Sequence, residues 1–265
     1  MKVNLMRHYI LSETNYANTK ANPYEVAVLP LGATEPHNLH LPYGTDMFEG
    51  TIVGERICEA AHARGGKVVL LPTIPYGTET NMHRLPLAIN VDPTTLFRFV
   101  TDIVHSCIHS GVRKIVLLNS HGGNEMKPLL RELADKIDGH LFLCNWYQAL
   151  GGPELAGIFE HADDHAGEME TSFILATHPH LVAKTPTGKL AADDGLTAKT
   201  RFEAINRGWV SITRPWHLLT TNTGSGYPHA ASPEKAEKML ALLAERLGQF
   251  LAELSAAKID ERFPY

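Results

Sequence analysis

The sequence predicts a layered α/β domain built on a largely parallel central sheet. Two observations carry this reading: short β-branched runs alternate with stretches of helical periodicity, and residues 114–144 read as strand, turn, helix and strand in quick succession. In chain order, Val26-Ala-Val-Leu-Pro30 is a buried strand and Lys67-Val-Val-Leu-Leu-Pro72 a second. Asp92 is a capping residue ahead of a first-turn proline, Pro93. Leu96, Phe99, Val100, Ile103, Val104, Cys107 and Ile108 then recur at helical spacing until Gly111, giving a helix with one buried stripe. Lys114-Ile-Val-Leu-Leu118 is a strand, Asn119-Ser-His-Gly-Gly-Asn124 a polar turn, and a helix to about Ile137 precedes a strand from Leu141 to Cys144. Ser232-Pro233 opens a last helix with Ala236, Met239, Leu240, Leu243, Leu247, Phe250, Leu251 and Leu254 on its apolar face. Residues 193–223 carry the weakest pattern.

The chain has 265 residues, 44% of them hydrophobic and 20% charged, which fits a single domain over 1–265. At this length roughly three quarters of the unfolded surface can be buried, so a metal would serve chemistry rather than hold the core together. With 24 Lys+Arg against 29 Asp+Glu, the formal charge of -5 gives no reason to expect a nucleic-acid partner. Cys58, Cys107 and Cys144 form no C-x-x-C pair and an odd set, which argues against a disulfide framework and fits a reducing cytoplasm. The apolar runs are too short to span a bilayer, so neither membrane anchoring nor export is expected. Fifteen histidines stand out, because histidine is the commonest metal ligand.

Three segments place histidine beside carboxylate. In Leu31-Gly-Ala-Thr-Glu35-Pro-His37, continuing to Asp46, a loop follows the first strand. An extended backbone projects Glu35 and His37 to the same side, and with Asp46 they form an oxygen and nitrogen set suited to zinc, manganese or iron. A solvated loop with Asp46 capping the next helix is the alternative. In the second segment, Gly122 and Gly123 let backbone approach a ligand closely, and His121 faces the same crevice. A plain strand-to-helix turn and a phosphate loop are alternatives, although G-x-G-x-x-G, G-x-x-x-x-G-K-[ST] and G-x-S-x-G are all absent. The third, His161-Ala-Asp163-Asp164-His165-Ala-Gly-Glu168-Met-Glu170-Thr-Ser172, is dense enough in acid and imidazole to shift pKa values. Its alternative is a solvated helix start capped by Asp164.

Together these segments resemble the creatininase family of metal-dependent amidohydrolases, in its H-G-G-N form. The matching elements are Gly32-Ala-Thr-Glu35-Pro-His37 with Thr45-Asp46, Asn119-Ser-His121-Gly-Gly-Asn124, and His165-Ala-Gly-Glu-Met-Glu170-Thr-Ser172. Gly224-Ser-Gly-Tyr-Pro228 with Ala231-Ser-Pro-Glu-Lys235 adds a weaker match, in family order. The resemblance implies a three-layer α/β/α sandwich, two divalent metal ions (Zn, Mn or Fe), hydrolysis of an amide C–N bond often in a small ring, and often a homohexamer. It further implies Glu35 and His121 on one metal, His37 on the other, and Asp46 bridging both, with a bridging hydroxide attacking the carbonyl of a small-molecule amide. His165 then contacts substrate and passes a proton to the leaving nitrogen, beside Gly122 and Gly123 in the substrate pocket. Gly123 stands where creatininase has a metal-binding glutamate, which leaves Glu170 to act in catalysis or to supply the missing ligand. Leu85-Pro86-Leu87-Ala88 replaces the family's F-P-G-T beside the pocket, and His161 stands in place of a tryptophan. A formylamide deformylase on a heterocycle is the alternative within enzymes. A metal- or nucleotide-binding module without turnover is the alternative outside them.

Overall fold

The computed structural model describes residues 6–150, 157–161 and 164–265. After a short helix α1 (Tyr16–Ala21), strand β1 (Val26–Leu31) leads to the long helix α2 (Thr45–Ala63) and the short strand β2 (Val68–Leu70). Helix α3 (Pro93–His109), strand β3 (Lys114–Asn119), helix α4 (Lys127–Leu133) and strand β4 (His140–Asn145) follow. Helix α5 (Glu168–Thr177), two single-turn helices α6 (Glu203–Asn206) and α7 (Trp216–Leu219), and the C-terminal helix α8 (Pro233–Ala256) complete the described elements. The four strands are all parallel in the order β2-β1-β3-β4, with Val26 opposite both Val68 and Lys114, and Lys114 opposite His140.

Alternation along β1 and β3 explains the three layers. Val26, Val28, Val116 and Leu118 face a core shared with α2, α5 and α8, where Val53, Ile57, Phe173, Leu240 and Leu243 are buried. Ala27, Leu29, Leu31, Ile115 and Leu117 face the opposite core, with Leu96, Val100 and Val104 of α3 and Leu129 and Leu133 of α4. A sheet covered on both faces needs apolar residues at every position, so its central strands read as continuous runs. Helix α8 packs closely on α2 because Gly248 has no side chain: a Cβ there would lie 2.6 Å from that of Ala60. Lys114, buried at the start of β3, points its ammonium at the end of α8 and donates to the carbonyls of Leu254 (2.9 Å), Ser255 (3.3 Å) and Ala257 (2.6 Å).

The strands and major helices fall where the sequence puts them, and the differences have local causes. β2 is confined to Val68–Leu70, although the Leu71 amide still donates to the Val28 carbonyl at 2.9 Å, and Pro72, with no N–H, cannot extend the ladder. Phe99 is 52% exposed, so the buried stripe of α3 is narrower than its periodicity suggests. Asp92 occupies the cap position of α3 without a capping bond, its carboxylate accepting instead from the Asn90 side chain at 3.0 Å. α4 ends at Leu133 rather than near Ile137. α8 starts as expected, with Ser232 Oγ accepting from the Lys235 amide, while Phe250 lies at its rim against Phe142. Among the described residues, no helix is long and apolar enough to cross a membrane.

Candidate active site

Because β1 and β3 are parallel neighbours with Leu31 opposite Asn119, the loops leaving them start side by side at the carboxyl edge of the sheet. The first loop carries Glu35 and His37, and then enters α2, whose first turn presents Asp46. The cap position of α2 is Gly44, so Asp46 is not the helix cap; its side chain is buried against the two histidines instead. The second loop carries His121. The start of α5 adds Glu170, and the loop before it adds His165; α5 is capped at Gly167, and Asp164 pairs with Arg214 at 2.7 Å rather than capping. Asp163 lies outside the described residues.

These side chains converge. Glu35 Oε1 lies 3.1 Å from His121 Nδ1, 3.8 Å from His165 Nδ1 and 3.9 Å from His37 Nε2. His37 Nε2 lies 3.5 Å from Asp46 Oδ1 and 4.0 Å from Glu170 Oε2, and His121 Nδ1 is 3.5 Å from Asp46 Oδ2. Each histidine has its far nitrogen occupied by a backbone carbonyl. His37 Nδ1 meets the Glu35 carbonyl at 3.0 Å, His165 Nε2 the Pro36 carbonyl at 2.9 Å, and His121 Nε2 the Thr78 carbonyl at 3.2 Å. A carbonyl can only accept, so the outer nitrogen carries the proton. In the neutral imidazole the lone pair is thereby turned inward. Asn124, last residue of the second motif, knits the loops, donating to the Gly32 carbonyl (3.1 Å) and accepting from the Thr78 amide (3.0 Å).

Two residues next to the histidines, Asn38 (φ 54°) and Ala166 (φ 51°), hold left-handed backbone without being glycine. Each is tied down. Asn38 donates to the Asp193 carbonyl at 2.9 Å, the Ala166 amide donates to the Glu170 carboxylate, and the His165 backbone pairs with Ser225 of the fourth matching segment. The two histidines themselves are held by the Glu35 and Pro36 carbonyls.

The electrostatics are those of anions short of cations. Among the described residues, no lysine or arginine forms an ion pair with Glu35, Asp46, Glu49 or Glu79. Burial pushes the Glu35 carboxyl well above the usual range, with His121 only partly opposing it. Burial also draws His37 and His121 down, yet Asp46 beside the first and Glu35 and Glu79 beside the second outweigh it and raise both well above the ordinary value. Burial would raise Asp46, but His37 holds it at about 2, and burial with the neighbouring His37 lowers His165 to about 3. Among the described residues, protons on His37 and His121 are therefore the charge balance that the side chains themselves provide, and a cation would compete for the same atoms.

Three groups of donor atoms lie within 4.8 Å of one another: Glu35, Asp46 and His121; His37, Asp46 and Glu170; and Glu35, His37 and His165. Glu35 Oε2, His37 Nε2 and Asp46 Oδ2 are buried without a hydrogen-bond partner. This donor set fits divalent transition metals. The cluster floors a cavity of about 460 Å³, whose walls include the expected Gly122, Gly123, His161 and His165. Leu85 to Ala88 do not line it; Asn81 and Met82 of the same loop do.

Sequence reasoning missed Glu49, Glu79, Arg214 and Trp216. Glu79 is fully buried with its carboxylate 2.6 Å from His121 Nε2, in a loop with no periodicity to mark it. Glu49 sits one helical turn after Asp46 on the same face of α2, a spacing of three that could have found it. Arg214 and Trp216 come from the weakly patterned 193–223 region, and Trp216 stacks edge-on against His165 with ring centroids 4.9 Å apart.

The fold and site thus define a three-layer α/β protein with a buried carboxylate and imidazole centre opening to a small cavity. The chain belongs to the creatininase family, described as creatinine amidohydrolase, whose profile it matches over residues 11–251, and it is a hydrolase of that family. It is 26% identical over 225 residues to a mycofactocin precursor peptide peptidase of Mycobacterium ulcerans (strain Agy99), covering 82% of this chain and 81% of the relative. It is 28% identical to a creatinine amidohydrolase of Pseudomonas putida, covering 59% and 66%. A Bacteroides fragilis NCTC 9343 protein provisionally assigned as a creatinine amidohydrolase has the same fold at TM-score 0.85 and 33% identity, over 96% of this chain and 99% of that one. A manganese creatininase shares the fold at TM-score 0.72 and 21% identity, over 94% and 99%.

Proposed function

We propose that the protein is a two-metal amidohydrolase that cleaves the C–N bond of a small, cyclic amide. The observation that carries this reading is the pair of donor triads, Glu35–Asp46–His121 and His37–Asp46–Glu170, which meet at one shared carboxylate, Asp46. Glu35 and His121 would hold one divalent ion, His37 and Glu170 the other, and Asp46 both. Glu170 in this role makes good the missing ligand at Gly123. Zinc, manganese and iron all suit such ligands. Ions bound there would supply deprotonated water near neutral pH and polarise the amide carbonyl.

The remaining work falls to the chain's own groups. His165, with Nε2–H held by the Pro36 carbonyl, offers Nδ1 to the cavity as a proton carrier. With its pKa held at about 3, the imidazole would not store a proton; its Nδ1 would accept the hydrogen bond of the attacking water and pass the proton on to the leaving nitrogen, which is a poor leaving group until protonated. Trp216 packs edge-on against the imidazole, with ring centroids 4.9 Å apart. Gly122 leaves open space above the cluster for the acyl group. A cavity of about 460 Å³ suits a small ring better than an extended peptide.

A second reading has its own support. The third donor group includes His165 Nδ1, which would make His165 a ligand rather than a proton carrier. A formylamide of a heterocycle would also fit the cavity. We further propose that the chain forms one domain, is cytoplasmic and associates as a homo-oligomer, a hexamer by family resemblance. Exposed Leu11, Tyr16 and Phe99 around an apolar groove favour association, which sedimentation equilibrium would test. Elemental analysis of the purified protein, then hydrolysis of a panel of cyclic amides, formylamides and short peptides, tests the main proposal. Two equivalents of metal with turnover of cyclic amides are expected, and a metal-free protein retaining a nucleotide would overturn it in favour of a binding module.

A further inference from the structure

Glu49 has no part in the mechanism above, yet it is the most conspicuous unused group in the cavity wall. It is 1% exposed, it lines the cavity, and its Oε1 has no hydrogen-bond partner. Two donors of the same cavity wall are committed elsewhere, Trp146 Nε1–H to Ser120 Oγ at 3.0 Å and Arg214 to Asp164 at 2.7 Å, while Trp216 Nε1, also in the wall, is buried without a partner and does not reach Glu49 Oε1. Burial, with Glu170 and Asp46 repelling, pushes the Glu49 carboxyl well above its usual range, and His37 only partly opposes this. A carboxyl group removed from water and left without a donor is costly, and a binding site can recover that cost only through the ligand.

We propose that Glu49 is a specificity-determining residue, its carboxylate accepting a hydrogen bond from an N–H group, amidine-like or amino, carried by the substrate beside the scissile amide. This deepens the amidohydrolase reading and rests on it. The position suits the task. Glu49 lies one helical turn beyond Asp46, so a substrate whose carbonyl faces the metal-binding cluster presents its neighbouring atoms to Oε1. Trp146, Tyr147 and Phe159 line the same cavity with flat aromatic surface and Met169 adds apolar wall, appropriate to a planar unsaturated group. An analogue without the N–H would leave Glu49 Oε1 buried and unpaired, the kind of mismatch that sites built on polar pairing reject strongly.

The test uses full-length, metal-loaded protein and two probes of one shape, benzamidinium and acetophenone, measured by isothermal titration calorimetry. Wild type should bind benzamidinium at least tenfold more tightly than acetophenone. Glu49→Gln, nearly isosteric, and Glu49→Asp, with the carboxyl drawn back by one methylene, should each reduce that preference to about threefold or less while retaining the wild-type metal content. A preference absent from wild type, or undiminished in both variants, would overturn the proposal. Loss of a metal equivalent in Glu49→Gln would also overturn it, by making Glu49 a ligand. Probe binding needs no turnover, so failure of the amidohydrolase reading shows separately, in the elemental analysis and the substrate panel.

Discussion

Gly123 is the position where a single methyl group should do the most damage to the site. A Cβ built there would lie 2.3 Å from His121 Nε2 and 2.4 Å from the Thr78 carbonyl oxygen. Ordinary van der Waals contact begins near 3.4 Å, so Gly123→Ala demands a displacement of about 1 Å shared between the imidazole and a loop already fixed by Asn124. His121 cannot retreat, because Glu79 stands 2.6 Å from the same nitrogen and Glu35 lies 3.1 Å from the other. Overpacking of this kind costs about 1–3 kcal/mol, a fall of several degrees in Tm for a chain of this size. A shift of about 1 Å in a positioned group costs on the order of 10²-fold in rate. Gly123→Ala should therefore lose metal from the Glu35–Asp46–His121 triad and about 10²-fold in kcat/KM. Gly122→Ala, whose Cβ would meet nothing within 4 Å, should keep its Tm and metal content. Differential scanning fluorimetry, elemental analysis and steady-state kinetics on the two variants make the comparison. Wild-type metal content and rate in Gly123→Ala would refute the reasoning.

Asp46→Ala should lose both metal equivalents, whereas Glu35→Ala and His37→Ala should each weaken mainly one, as read by elemental analysis after dialysis; full occupancy in Asp46→Ala would contradict the shared-carboxylate assignment. His165→Asn should keep both ions and cut turnover by roughly 10²–10⁴-fold, while Glu170→Gln should lower the occupancy of one ion; the opposite pattern would make His165 the ligand. Removing Lys114 as Lys114→Met leaves the last carbonyls of α8 without their donor and should cost about 1–3 kcal/mol in urea unfolding, with metal content unchanged; an unaltered midpoint would mean those carbonyls find other partners. A strong chelator should abolish hydrolysis while leaving the far-ultraviolet circular dichroism intact, and Zn or Mn should restore the rate.

Much of the fold is legible because its causes are local. β1 and β3 are uninterrupted apolar runs, which only a sheet buried on both faces requires, and α8 announces itself through Ser232, Pro233 and an unbroken stripe. Glu35, His37, Asp46 and His121 are legible for the same reason: each sits within a short loop or first helical turn after a readable strand. Long-range relations are different. Glu79 reaches His121 from 42 positions away through the folding of a loop with no period, and Trp216 reaches His165 from a region whose two helices are single turns. No pattern in the chain encodes those meetings, because they depend on where the β2-to-α3 loop and residues 193–223 cross the sheet edge. The exposure of Phe99 shows the same limit from the other side. Helical periodicity says which residues share a face, but not how much of that face the sheet can cover.

Glu79 and Gly123 are best understood together. The second motif cannot carry a carboxylate at Gly123, because the space its side chain would need is filled by the His121 ring and the Thr78 carbonyl. The neighbouring loop instead brings a fully buried carboxylate, Glu79, to the far side of that ring. A carboxylate beside the outer nitrogen, whose proton meets the Thr78 carbonyl, reinforces that tautomer and makes the inner nitrogen a stronger donor, a different contribution from direct ligation. The negative charge absent from residue 123 is thus present at two other places: behind His121, as Glu79, and on the opposite wall, as Glu170. Glu79→Gln and Glu170→Gln should accordingly differ in kind. An amide at residue 79 keeps the shape and removes the charge while the Thr78 carbonyl still holds Nε2–H of His121, so metal should remain with affinity reduced about 10–100-fold, the usual loss when a ligand's outer partner is changed. An amide at residue 170 removes charge from the His37–Asp46 group itself and should empty one position. Metal titrations of both variants decide the matter, and equal losses in the two would show that Glu79 and Glu170 act at the same distance from the ions.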